Sequence, residues 1–110
     1  MSERIEKVNQ LLKKELGELL VKNITFKPAI FVTIEKVDTS PDLRYTDVFI
    51  SIFPTTESDY VLKTLAHEMY ALQGDLNRRL HMKPLPRIRF IQTDIEEKAD
   101  ELERLIREDV

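Results

Sequence analysis

The sequence predicts an α+β fold: one three-stranded sheet with helices laid against its apolar face. Three observations predict it. Apolar residues recur at steps of three and four in residues 3–21, 58–80 and 95–108. They alternate with polar or aromatic residues in 29–37 and 45–53. A third short alternating run, 87–91, follows a proline-rich stop. The first pattern is the stripe of an amphipathic helix, the second that of a strand.

The first helix carries Ile5, Val8, Leu12, Leu16 and Leu19 as its stripe, with Ser2 placed to cap it. Lys7, Lys13, Lys14, Glu6 and Glu15 cover its other surface. The first strand puts Ile30, Val32 and Ile34 on one face and Phe31, Thr33 and Glu35 on the other. The second puts Val48, Ile50 and Ile52 against Phe49, Ser51 and Phe53. Both are rich in β-branched and aromatic residues. "DTSPDL" between them supplies Asp and Ser to bond nearby backbone and Pro to preset φ, so the two strands form an antiparallel hairpin.

The second helical stretch follows "PTTESD", where Thr56 or Ser58 can cap it and Glu57 and Asp59 suit the positive end. Its stripe is Val61, Leu65, Met69, Leu72, Leu76 and Leu80. Gly74 interrupts it at a cost of about 1 kcal/mol against Ala, so a kink or a division into two helices is open. "KPLP" at 83–86 ends it. In the third strand, "RIRFI", Ile88 and Phe90 face the core and Arg87 and Arg89 face away. The last helix has Ile95, Ala99, Leu102 and Ile106 as its stripe. The order is α-β-β-α-(α)-β-α. Ile34, Val48, Ile50, Leu65, Leu72, Ile88 and Phe90 are the expected core, because their stripes are the apolar faces able to cover one sheet.

A length of 110 residues fits a single domain, 1–110, with 95–110 as an acidic C-terminal helix. The absence of cysteine excludes disulfides and thiolate metal sites and fits a reducing compartment. No apolar run approaches the roughly 18 residues of a membrane span, and the charged N-terminus lacks a signal-peptide core. A soluble cytoplasmic protein is therefore expected.

No catalytic arrangement can be assembled. His67 and His81 are not at metal-ligand spacing with each other, and Gly17 and Gly74, the only glycines, build no phosphate loop. No serine sits in a nucleophile elbow. The carboxylates of the last helix fall at the spacing of a solvated face. Neither an enzyme nor a cofactor is expected, which leaves a binding module.

The formal net charge of −3 hides an uneven distribution. Residues 60–92 hold Lys63, Arg78, Arg79, Lys83, Arg87 and Arg89 against only Glu68 and Asp75, and an acidic run follows. Arg78, Arg79, Lys83, Arg87 and Arg89 form a candidate surface for a phosphate backbone. The other reading is a solubilising face paired with the acidic tail. Lys7, Lys13 and Lys14 are a second-choice surface, and Arg44 is the residue of the hairpin turn able to touch RNA.

Taken in order, these stretches resemble the ribosome-binding factor A family. "VTIEKVDTSPDLRYTDVFIS" is similar to its first two strands and their link, through Val32, Thr33, Val37, Ser40, Asp42, Leu43, Tyr45, Val48 and Ser51. "RIEKVNQLLKKELGELL" is similar to its first helix. "LHMKPLPRIRFIQTD" looks like its lead into the last strand, and "EEKADELERLIRE" like its closing helix. The resemblance implies a type II KH-like fold, α-β-β-α-α-β, with an Ala-x-Gly kink between the two middle helices. Here Tyr70 stands where that Gly is expected, Gly74 lies four residues later, and the family's "DPR" turn is replaced by "NITFKPAI". The resemblance also implies a monomer that binds the small (30S) ribosomal subunit and its 16S rRNA. It implies a role without catalysis in late maturation of the rRNA 5′ end, most important in the cold. The competing expectation, from composition, is a protein–protein adaptor or dimerisation domain of similar build.

Overall fold

The structure is a computed structural model that describes residues 3–82 and 85–93. Two helices lie on one face of a three-stranded mixed sheet. Helix α1 is Glu3–Asn23, strand β1 Phe31–Thr39, strand β2 Tyr45–Phe53, helix α2 Ser58–Arg79 and strand β3 Arg87–Gln92. A short 3-10 turn, Thr55–Glu57, leads into α2. The sheet order is β1-β2-β3, with β1 antiparallel and β3 parallel to β2. The long α2 segment supplies the crossover that a parallel pair requires.

The core lies between sheet and helices. Leu12, Leu16 and Leu19 of α1, Leu65, Leu72 and Leu76 of α2, and Val48, Ile50 and Ile52 of β2 are almost wholly buried. Helical spacing in α1 and α2 and alternation in β2 turn these side chains into one layer. Ile88 is buried as expected, whereas Ile34 and Phe90 are only partly buried and pack at the margin of the core.

β1 departs from simple alternation. Val32 pairs with Ile52 and Ile34 with Ile50, then the register shifts between Ile34 and Lys36. The extra residue is a β-bulge, which turns the strand over. Val37 and Thr39 thereby reach the core side, and the Thr39 hydroxyl meets the Thr46 hydroxyl at 2.9 Å inside the sheet.

The hairpin turn is held by one hydroxyl. Ser40 Oγ donates to Asp42 Oδ1 at 2.6 Å and accepts from the amides of Arg44 and Tyr45 at 3.2 and 3.1 Å. The Arg44 amide also donates to Asp42 Oδ1. Leu43 sits at φ 61°, the left-handed conformation the turn needs, and its amide donates to the Ser40 carbonyl at 2.9 Å. The Ser40 hydrogen bond, then the Arg44 amide, holds the Asp42 carboxyl below its ordinary pKa.

α2 runs unbroken through Tyr70 and Gly74, so the expected division into two helices is not present. The buried stripe of Leu65, Leu72 and Leu76 continues across Gly74 and carries the helix past its weak position. No side-chain cap is present at its start either: neither Thr56 nor Ser58 caps it. The 3-10 turn closes on the Pro54 carbonyl instead, and Ser58 Oγ accepts from Gln92 Nε2 at 2.6 Å, tying α2 to the end of β3. The Ser2 cap, Lys83 and the last helix expected over 95–108 lie outside the described residues.

A Cβ at Gly74 meets only Arg78 Nη1, at 3.7 Å. Gly74→Ala should therefore stabilise the chain by about 1 kcal/mol in urea unfolding; a lower midpoint would show that the backbone needs glycine there. Asp42 is bonded as a carboxylate, so its contribution is present above its unfolded pKa and lost as the pH falls through its lowered folded pKa. The advantage of wild type over Asp42→Asn in unfolding midpoint should be present at neutral pH and shrink below about pH 4. An advantage unchanged by acid would remove the carboxylate from the turn's account.

Candidate nucleic-acid interface

The expected basic block divides into two groups. Arg78 and Arg79 end α2, where cations suit the helix dipole, and they lie beside α1. Arg79 Nη1 donates to Glu15 Oε2 at 2.9 Å and to Glu18 Oε2 at 3.0 Å, across the two helices. The bond to Glu15, and after it the bond to Glu18, raises the Arg79 pKa above its usual range, against the pull of burial. Arg78 pairs with Asp75, one turn back, and Asp75 Oδ2 also accepts from Asn23 Nδ2 at 2.8 Å. Arg79 thus acts first as a clamp between α1 and α2, a role its sequence position does not reveal.

Lys13 and Lys14 lie on the exposed outer face of α1 with Gln10, Gly17, Val21 and Lys22. Glu18, one of the Arg79 acceptors, borders the same face. Lys7 is exposed on the same helix. Lys13 and Lys14 therefore stand on α1 next to Glu15 and Glu18, the acceptors for Arg79 at the end of α2.

Arg44, Arg87 and Arg89 form the second group. The Arg87 amide donates to the Arg44 carbonyl at 2.8 Å, joining the hairpin turn to the start of β3. Arg87 lies opposite Tyr45 and Arg89 opposite Asp47 in the parallel ladder. Arg89 Nε donates to Asp47 Oδ1 at 2.7 Å, and its guanidinium stands 4.8 Å from the Tyr45 ring centre. Arg44 is 3.8 Å from Asp42 with most of its side chain in water. Arg87 is exposed and has no ion pair among the described residues. It also edges a cleft lined by Gln73, Asn77, Met82 and Leu85.

Gln73 organises that cleft. Its Nε2 donates to the Pro86 carbonyl at 3.1 Å, and its Oε1 accepts from the Ile88 amide at 3.1 Å. One amide side chain on α2 therefore sets where the chain enters β3, and hence where Arg87 and Arg89 project. Spacing alone gives Gln73 no distinction from other polar residues of α2. Tyr70, at the position of the family's kink, is 94% exposed on the solvent side of α2 and takes no part in either group.

Gln73→Ala should lower stability by about 1–3 kcal/mol, because a backbone amide and carbonyl lose their partner. In an amide spectrum the largest shifts should fall at Ile88 and Arg89; shifts confined to α2 would refute the anchoring role.

No described helix is long and apolar enough to cross a membrane, and no three described His, Asp or Glu residues are grouped to hold a metal. The family model described as Ribosome-binding factor A matches residues 4–106. The protein of that name from Prochlorococcus marinus shares 36% identity over 92 residues, covering 81% of this chain and 71% of that protein. The one from Opitutus terrae shares 34% over 100 residues, covering 90% and 81%. The crystal structure of ribosome-binding factor A from Thermus thermophilus superposes with a TM-score of 0.69 at 27% identity, covering 80% of this chain and 93% of that one. A homology model of the Thermus thermophilus protein, fitted into the cryo-EM map of a 30S–RbfA complex, gives 0.65 at 30% identity, covering 76% and 88%. The α+β fold with its mixed three-stranded sheet is the KH-like fold of those structures. Matched over nearly its whole length, the chain belongs to the ribosome-binding factor A family.

Proposed function

We propose that this chain is a cytoplasmic, monomeric assembly factor that binds the small ribosomal subunit and its 16S rRNA during late maturation of the rRNA 5′ end, and acts by binding rather than catalysis. The observation that carries the reading is its family membership, together with the similar Thermus thermophilus protein fitted into a 30S–RbfA complex. The family's role in the cold belongs to the same reading.

Phosphate contacts fix position and register without reading sequence. Arg44, Arg87 and Arg89 suit that task best. They are exposed, they come from two adjoining segments, and Arg87 is free of any carboxylate among the described residues. Lys83 belongs to the same stretch of chain. Arg78 is exposed beside Asp75, so RNA phosphate competes with one carboxylate for it. Arg79 must give up two carboxylates to reach RNA and contributes least. Lys7, Lys13 and Lys14 are the second surface.

The alternative, a protein–protein adaptor or dimerisation domain, is favoured by one feature: Phe31 and Phe53, paired across the sheet and both exposed.

Filter binding of small-subunit rRNA at a series of salt concentrations separates the two. The first reading expects affinity to fall steeply with salt. It expects Arg44→Ala/Arg87→Ala/Arg89→Ala to flatten the slope by about one unit for each phosphate left without its cation. Arg79→Ala should instead lower the unfolding midpoint more than it changes the slope. A folded triple variant with the wild-type slope would move the interface elsewhere, and no salt-dependent binding at all would favour the adaptor.

A further inference from the structure

Strand β1 forms one edge of the sheet, and among the described residues no strand pairs with its outer side. An edge strand presents a row of main-chain amides and carbonyls that a further strand can meet. The two edges of this sheet are not alike. β3 carries Arg87 and Arg89, and charge blunts an edge. The far half of β1 is blunted as well, by the bulge and by Glu35 and Lys36. Phe31, Val32, Thr33 and Ile34 have no charge, no proline and no bulge among them, so the near half of β1 stays open.

A shallow groove lies beside this open half. Leu20, Val21 and Ile24, at the end of α1 and just after it, form one side. Val32 of β1, with Phe26 and Ile30 of the connecting segment, forms the other. Val21 is 85% exposed and Phe31 64% exposed, and both border the groove. Exposed apolar groups brought together in this way mark a surface that something covers. The chain enters β1 through Ala29 at φ 67°, a left-handed backbone unusual for alanine, and such strain gathers at binding sites.

Charge and geometry name the occupant. No charged side chain lines the groove, so a phosphate backbone finds no partner there. The Arg44 and Arg87 group stands at the opposite end of the sheet: Tyr45 pairs with Arg87, whereas Phe53 pairs with Phe31. The length of β2 between those rows is roughly 26 Å at about 3.3 Å per residue, so RNA held at one end leaves the other free. The open edge suits an extended backbone, and the groove suits apolar side chains on every second residue.

We propose that an extended segment of a protein partner adds to β1 along Phe31–Ile34 as a fourth strand, with alternate apolar side chains seated in the groove between α1 and β1. The sheet edge supplies main-chain hydrogen bonds, and the groove supplies the choice of side chain. This surface does not depend on the RNA reading.

The test selects short random peptides displayed on phage against the full, immobilised chain and follows the most enriched peptide by amide NMR. The proposal expects enriched sequences in which apolar and polar residues alternate, with the largest amide shifts at Val21, Ile24 and Phe31–Ile34. Methylating the backbone nitrogens of that peptide one at a time should weaken binding by about tenfold at every second position, because alternate amides bond a neighbouring strand. Val21→Lys, near a helix end where a cation suits the dipole, should leave the unfolding midpoint unchanged and weaken peptide binding by about tenfold. No enrichment over the Val21→Lys chain, methylation effects without alternation, or shifts gathered on another face would each overturn the proposal. So would a dimer of the chain that Val21→Lys dissolves, which would assign the edge to a second copy.

Discussion

Leu12, Leu16 and Leu19 of α1 and Leu65, Leu72 and Leu76 of α2 press onto one face of β2, and this one-sided burial decides which surfaces are free to act. Fully burying an aliphatic side chain of this kind contributes about 1.5–3 kcal/mol, so the layer outweighs any surface ion pair the chain makes. It keeps α2 continuous through Gly74. It also sends β3 back parallel to β2, which brings Arg87 to the hairpin turn. The charged groups take the positions this layer leaves them.

The layer also explains why the basic residues are not equivalent. Arg78 and Arg79 fall where α2 ends against α1, within reach of Asp75, Glu15 and Glu18. Arg87 and Arg89 fall on the strand beyond the helices, where Asp47 pairs with Arg89 and Arg87 has no ion pair among the described residues. A cation already held by two carboxylates gives up those bonds on meeting phosphate, whereas a free one gives up only hydration. Density of positive charge in sequence is therefore a poor guide to which cations are available.

Much of the fold is legible from periodicity. β2 is expected over 45–53 and is found there, and the stripes of α1 and α2 fall on the expected residues. The hairpin is legible from Ser40, Pro41 and Asp42, because their turn chemistry is local. The bulge after Ile34 is not, since alternation read over 29–37 gives no sign of an inserted residue; Val37 and Thr39 declare it only through burial. The helix continues through Gly74 because a glycine's cost of about 1 kcal/mol is small against the buried stripe that runs past it. The Arg79 clamp and the Gln73 anchor are beyond reach for a different reason. Each joins groups far apart in sequence, at distances set by packing.

The central claim is that this packing presents a basic surface to the small ribosomal subunit. It is tested most directly by sedimenting the full chain with isolated small subunits through a sucrose cushion across a salt series. The account predicts that the chain pellets with the subunit at low salt and is released as salt rises, while large subunits carry down little. A chain that stays in the supernatant at every salt concentration, or pellets equally with both subunits, would contradict it.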